Sequence, residues 1–353
     1  MKYLYQVKFL FLYTEIADYF LACCQELSVK GEVHVIRYPV NKEAPFQFNH
    51  ATSVKLYNRN DFSYQQLQKF SKDLKPDIII CSGWIDNDYL KLCKTYFKKV
   101  PTVLTCDTHW RGDLKQKIAT VLSRFTLLRI FSNAWVPGLA QKQYVEKLGF
   151  KEQQINLGFY SCNHAKFNAA YIQTKKEKEF AFPRRFIYVG RYYEFKGLME
   201  LWQAFIELQD EQPNDWELWC LGTGDLKPVE HPKIKHFGFV QPLDLNQFIK
   251  ESGVFVLPSR FEPWGVVVHE FAAAGFPLLL SDAVGAKEQF LKIGQNGFSF
   301  KENSVSELKS ALSKYIKLSN QDLIKMAQVS NELSKSITPE TWVKTISKIL
   351  KAK

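Results

Sequence analysis

The chain has 353 residues, a formal net charge of +11 and 46% hydrophobic residues. It is longer than the roughly 250–300 residues at which single cores stop growing, so two domains are expected. Seven cysteines without a C-x-x-C pair or regular spacing exclude a zinc or disulfide framework and fit a reducing cytoplasm. No window holds about 18 consecutive apolar residues, which excludes a transmembrane helix. The basic excess favours anionic surfaces, but the chain offers no compact basic-aromatic motif for nucleic acid.

The N-terminal M-K-Y-L-Y-Q-V-K-F-L-F-L-Y has the look of a signal peptide, and F-L-A-C ending at Cys23 that of a lipoprotein cleavage box. Lys8 interrupts the apolar run, and Glu15 and Asp18 fall where it would have to continue, so a strand followed by a helix is expected instead. V-K-F-L-F-L-Y, E-V-H-V-I-R-Y, D-I-I-I-C and T-V-L-T-C read as strands separated by segments long enough for crossover helices, which predicts a doubly wound sheet. Asp86 and Asp88 form a D-x-D, a spacing able to hold a divalent metal. Their place just ahead of Tyr89 reads better as a helix cap, and no metal site is assigned.

C-D-T-H-W-R-G-D, from Cys106 to Asp113, follows a strand and should project from the sheet edge, which makes Asp107 and His109 candidate site residues. From Leu114 to Phe131, Leu114, Ile118, Val121, Leu122, Phe125 and Leu128 recur at helical spacing among Lys115, Lys117, Arg124 and Arg129. The leading reading is a helix packing this face on its own domain; the second is a basic interfacial helix. The charged K-K-E-K-E from Lys175 to Glu179 has the composition of an exposed connection and places the domain junction there, giving domains 1–174 and 175–335. Thr338, Pro339 and Glu340 supply a cap, a first-turn proline and a first-turn acid for a terminal helix over 336–353.

Between those points lie four ordered motifs. They are F-I-Y-V-G-R-Y-Y-E-F-K-G from Phe186 to Gly197, L-W-C-L-G-T-G-D ending at Asp225, H-F-G-F-V from His236, and P-S-R-F-E-P-W-G-V-V-V-H-E from Pro258 to Glu270. In the last, G-V-F-V-L just upstream is a buried parallel strand, and a helix starts just after Gly265. The free N–H groups of a starting helix favour an anion, and glycine lets a phosphate approach the backbone. Glu270 lies about 7.5 Å further along the helix axis. That spacing suits one ligand in parts: phosphate at the turn, ribose at Glu270 and a sugar at Glu262. Each piece alone could be a solvated surface charge; four in order over 186–300 are far more specific.

This set resembles the retaining glycosyltransferases of family 4, which have the GT-B fold. The resemblance implies an E-x7-E element in Glu262 and Glu270, with Gly265 and Val266 at the phosphate turn. Gly190, Arg191 and Lys196 match the loop whose Arg and Lys hold the donor diphosphate. Gly222 matches the next glycine turn, and Phe239 and Val240 the segment beside the nucleobase. Many relatives carry a His near the anomeric carbon; here Asp107 occupies that slot and His109 stands two residues later, either one able to face the reaction centre. Where relatives have a glycine-rich acceptor-side loop, this chain has Thr14 and Glu15, and Trp84 is a candidate acceptor wall.

The fold implied is two Rossmann-like doubly wound domains facing across a cleft, with the terminal helix packing back on the N-terminal, acceptor-side domain and the donor bound by the C-terminal one. The implied reaction moves a hexose from a UDP- or GDP-linked sugar to a saccharide or lipid-linked acceptor hydroxyl, with retention, in cell-surface glycan or glycolipid biosynthesis. No metal or other cofactor is implied. The expected location is the cytoplasm, with peripheral contact at an anionic membrane face and no nucleic-acid partner. A sugar-nucleotide epimerase or phosphorylase of the same fold, or a non-catalytic nucleotide-sugar sensor, stands as the alternative.

Overall fold

The computed structural model describes residues 6–39 and 53–352. The first residues of the leader-like N-terminal run, 1–5, lie outside the described residues. The chain forms two compact units, one comprising residues up to Ser161 together with those from Ile337 onward, the other Cys162–Ser336.

The first unit holds seven parallel strands: β1 (Val7–Leu12), β2 (Gly31–Arg37), β3 (Val54–Asn58), β4 (Ile78–Ser82), β5 (Thr102–Thr105), β6 (Asn133–Trp135) and β7 (Ile155–Asn156). They are arranged β3-β2-β1-β4-β5-β6-β7. Successive side chains point to opposite faces, so Phe9, Phe11, Ile78 and Ile80 enter one core while Leu10, Leu12, Ile79 and Cys81 enter another. Helices cover both faces, and this is why the runs read as unbroken apolar stretches. β3, β6 and β7 had not been expected: they are short, and only tertiary pairing marks them as strands.

The helix Pro339–Lys351 opens with a capping box between Thr338 and Thr341 and buries Trp342, Val343, Ile346 and Ile349 in the core of Phe9 and Phe11. Trp342 stacks on Phe11 with ring centroids 5.9 Å apart, and its indole N–H donates to the Phe159 carbonyl at 2.7 Å. Trp342→Phe keeps most of the packing but leaves that buried carbonyl without its donor. It is expected to cost about 1–3 kcal/mol, read as a lower urea midpoint at unchanged m.

The second unit holds β8 (Arg185–Val189), β9 (Glu217–Leu221), β10 (Ile234–His236), β11 (Val254–Leu257), β12 (Leu278–Ser281) and β13 (Gly297–Phe300), ordered β10-β9-β8-β11-β12-β13. The units part at 161/162. The charged run Lys175–Glu179, read above as a connection, lies inside the helix His164–Phe180. Phe167, Ala170, Thr174 and Lys178 bury one face of that helix at i, i+3/i+4 spacing, and Lys175 pairs with Glu179 on its outer side. The charges are thus the solvated face of an amphipathic helix. Each sheet reverses its order once, between β1 and β4 in the first unit and between β8 and β11 in the second. Ligands of open α/β sheets bind outside the carboxyl ends of the strands at such points.

Candidate functional site

At the second unit's switch point, the loops leaving β8 and β11 are locked together. Lys196 ends a 3₁₀ turn, Glu194–Lys196, and is followed by Gly197 at φ +69°. A Cβ on Gly197 would stand 2.0 Å from the Pro258 carbonyl oxygen, so only glycine lets this loop press on the end of β11. The Arg260 N–H donates to the Phe195 carbonyl at 2.8 Å, and the Arg260 guanidinium holds the Glu194 and Glu200 carboxylates. Within this brace the Lys196 ammonium meets the Glu262 carboxylate at 2.5 Å, and the Ser259 hydroxyl donates to the same carboxylate at 3.2 Å. Both side chains of the pair keep a small exposed fraction, 15% for Lys196 and 13% for Glu262.

The Glu262 backbone is pinned as well. Its carbonyl accepts from the Gly285 N–H at 2.9 Å, and it forms a parallel bridge with Val284. Gly265 caps the helix Val266–Ala273 at φ +91°, where a Cβ would stand 3.0 Å from Glu262 Cγ. Glycine there keeps the turn open beside the carboxylate. Burial, and after it the Glu262 charge, pushes the Tyr188 phenol well above its ordinary pKa. It therefore stays a donor, bonded to the Arg191 carbonyl at 2.8 Å.

The remaining predicted donor-side residues take these places. Arg191 is exposed, its guanidinium 5.2 Å from the Tyr193 ring centroid. The Gly190 N–H donates to the Leu221 carbonyl at 3.0 Å and the Gly222 N–H to the Gly238 carbonyl at 2.7 Å, knitting the ends of β8, β9 and β10. Phe239 and Val240 follow, half-buried. Val266 opens the helix, and Glu270 lies half-buried on its second turn.

The first unit has its own cavity of about 510 Å³ at the carboxyl ends of β1, β4 and β5. Thr14, Glu15, Tyr19, Trp84, Asp107 and Tyr160 are on its wall. The Tyr160 hydroxyl donates to Asp107 at 3.2 Å, and the Thr14 and Ser82 hydroxyls meet at 3.2 Å. His109 does not line this cavity; burial, and then Arg111, holds its imidazole below the ordinary pKa, so it is neutral near pH 7. A larger cavity of about 790 Å³, lined by Phe180, Arg185 and Glu217, sits at the amino ends of β8 and β9, away from the switch point.

Gln116 was not anticipated. Its amide donates to the His109 carbonyl at 2.8 Å and accepts from the N–H groups of Arg111 at 2.7 Å and Gly112 at 3.1 Å, so one side chain holds the loop behind Asp107. Its only trace in the sequence is a lone glutamine on a helix face of small and polar residues. Asp86 caps the helix Asn87–Tyr96 through the N–H groups of Asp88 and Tyr89, as its position predicts. Arg59 binds Asp86 at 2.7 Å and Asp88 at 2.9 Å, so this D-x-D is occupied by a guanidinium.

Residues 183–317 match the family model described as Glycosyl transferases group 1. Over 121 residues the chain is 31% identical to an uncharacterized glycosyltransferase of Methanocaldococcus jannaschii, a match covering 31% of this chain and 30% of that relative. The chain thus spans about a third of that relative's length. A glycosyltransferase from Rickettsia africae superposes with a TM-score of 0.73 at 13% identity, covering 99% of this chain and 98% of that one. Anabaena HepE, in complex with UDP and glucose, superposes with a TM-score of 0.70 at 15% identity, covering 98% and 100%. The fold is GT-B, with parallel sheets of seven and six strands.

Proposed function

We propose that this chain is a retaining glycosyltransferase of the family 4 type, moving a hexose from a nucleoside-diphosphate sugar to an acceptor hydroxyl. The observation that carries the reading is the Lys196–Glu262 pair at the second sheet's switch point, inside the span matching Glycosyl transferases group 1. Lys196 and Arg191 neutralise the departing diphosphate together with the helix N-terminus at Gly265 and Val266. The diphosphate competes with Glu262 for Lys196, and the carboxylate so released orients the sugar hydroxyls. Glu270 accepts from the ribose, Phe239 and Val240 flank the base, and Gly190 and Gly222 keep the loop edge thin.

The bond from the anomeric carbon to the diphosphate oxygen breaks as the acceptor oxygen bonds to the same face, and the acceptor proton passes to the leaving phosphate. No protein nucleophile is assigned. The second unit serves the donor, and the first unit's cavity, with Asp107 on its wall and His109 behind it, serves a saccharide or lipid-linked acceptor of cell-surface glycan synthesis. A UDP-linked donor is the first to test, because HepE shares the fold and is described with UDP and glucose.

Thermal shifts with UDP, GDP and their sugar conjugates test the donor site, since a ligand at 100 times its Kd adds about 2.7 kcal/mol to native stability. Glu270→Gln is expected to weaken free nucleotide by about 1.5–3 kcal/mol. Glu262→Gln frees Lys196, so nucleotide affinity should hold or tighten while transfer falls. No shift with any nucleotide removes the reading. A shift without acceptor-dependent turnover leaves a sensor, and donor interconversion without acceptor leaves an epimerase.

A further inference from the structure

We infer that the helix Leu114–Leu122, with the turn after it, is a docking surface for an anionic phospholipid bilayer. Its polarity is reversed. Its one fully buried residue is Gln116, followed by Ser123 at the cap, whose hydroxyl donates to the Leu148 carbonyl. Leu114, Ile118, Val121, Leu122 and Phe125 instead face solvent, between 50% and 72% exposed. Of the face expected to pack on the domain, Leu128 alone does so, partly buried against the first unit's core, while the other five residues point outward.

At about 100° per residue these five side chains form one stripe, with Lys115 along one edge and Lys117 and Arg124 along the other. All three cations are exposed, as is Arg129 beside Phe125, and no Asp or Glu occurs from 114 to 131. An apolar stripe edged by cations matches acyl chains beneath anionic headgroups. A second copy would set these cations against themselves, and a nucleic acid would gain nothing from the exposed leucines, isoleucine and valine. Among the described residues no helix is long and apolar enough to cross a membrane, so contact through this face is peripheral. Gln116 ties the same helix to the loop holding Asp107, so docking would set the first unit's cavity beside lipid; that step rests on the lipid-linked form of the acceptor reading.

Flotation of the full chain with vesicles of phosphatidylcholine, alone or mixed with phosphatidylglycerol, tests the inference without any turnover. The mixed vesicles should bind at least about tenfold more strongly, increasingly so at low salt. Val121→Asp with Phe125→Asp should lower partitioning at least about tenfold. Lys117→Ala with Arg124→Ala should lower it by about fivefold per charge removed. Unchanged melting curves would show that both variants fold. The inference is overturned if the wild type binds neither vesicle, if the aspartate variant binds as the wild type does, or if light scattering shows a dimer that the aspartate variant abolishes. None of these outcomes bears on nucleotide-induced thermal shifts, so failure here leaves the glycosyl-transfer reading to its own test.

Discussion

Lys196→Ala should lower sugar transfer by about 10²–10³ while the chain stays folded. In the proposed reaction the leaving group would carry its charge where this ammonium is held, at the end of a 3₁₀ turn whose exit Gly197 presses on β11. The Arg260 brace keeps that turn in position, so its shape does not depend on the lysine amine. One structural side effect must be separated: the substitution strips a mostly buried carboxylate of its cation, and orphaning a buried charge is costly. Glu262 retains Ser259 as a donor and some exposure, so the loss should be partial. The double variant Lys196→Ala/Glu262→Gln removes both charges and should recover the lost melting temperature without recovering turnover. Arg191→Ala should act in the same direction with a smaller effect, since its side chain is exposed and its charge better screened. A folded Lys196→Ala enzyme with native kcat would remove the diphosphate assignment.

The second unit's pattern of strands, turns and helices was legible because its signals are local. A strand, a glycine that permits a tight loop and a following helix are written within about a dozen residues at three of the four motifs from Phe186 to Glu270; the exception is β9, which runs through its glycine turn into β10 with no helix between. The sequence could not show that Lys196 and Glu262 touch, because they are 66 residues apart and meet through the β8–β11 adjacency. It likewise could not orient the helix Leu114–Leu122: periodicity shows that a face exists, and only the neighbouring structure decides whether it turns inward. The helix His164–Phe180 carries the reverse lesson, since its charged run has a linker's composition and an amphipathic helix's spacing. Asp107 and His109 could not be separated by alignment. The cavity wall includes Asp107, while His109 contributes its carbonyl to the bond with Gln116.

His269 should make folding stability fall steeply as pH drops below about 6.5, its ordinary value. The ring is fully buried and stacked on Phe290 with centroids 4.3 Å apart. Nδ1 accepts from the Cys162 N–H at 3.1 Å, so the ring proton is on Nε2, which donates to the Ser334 carbonyl at 2.9 Å. Protonating Nδ1 would set two donors head to head in an apolar site. Burial, with a smaller push from His164, lowers the pKa to about 3. The folded state therefore refuses a proton that the unfolded chain accepts between about pH 3 and 6.5. There the unfolded state binds more protons, so stability rises with pH and is complete above 6.5. Each unit of acidification inside that window costs about 1.4 kcal/mol, a few kcal/mol by pH 4. His269→Gln offers an amide oxygen and an N–H to the same two partners but cannot take the proton. Urea unfolding from pH 7 to 5 should therefore give the wild type a slope about one proton steeper than the variant. Parallel slopes would mean that His269 is solvated in the native state, and the wall behind Glu270 would then be looser than this packing requires.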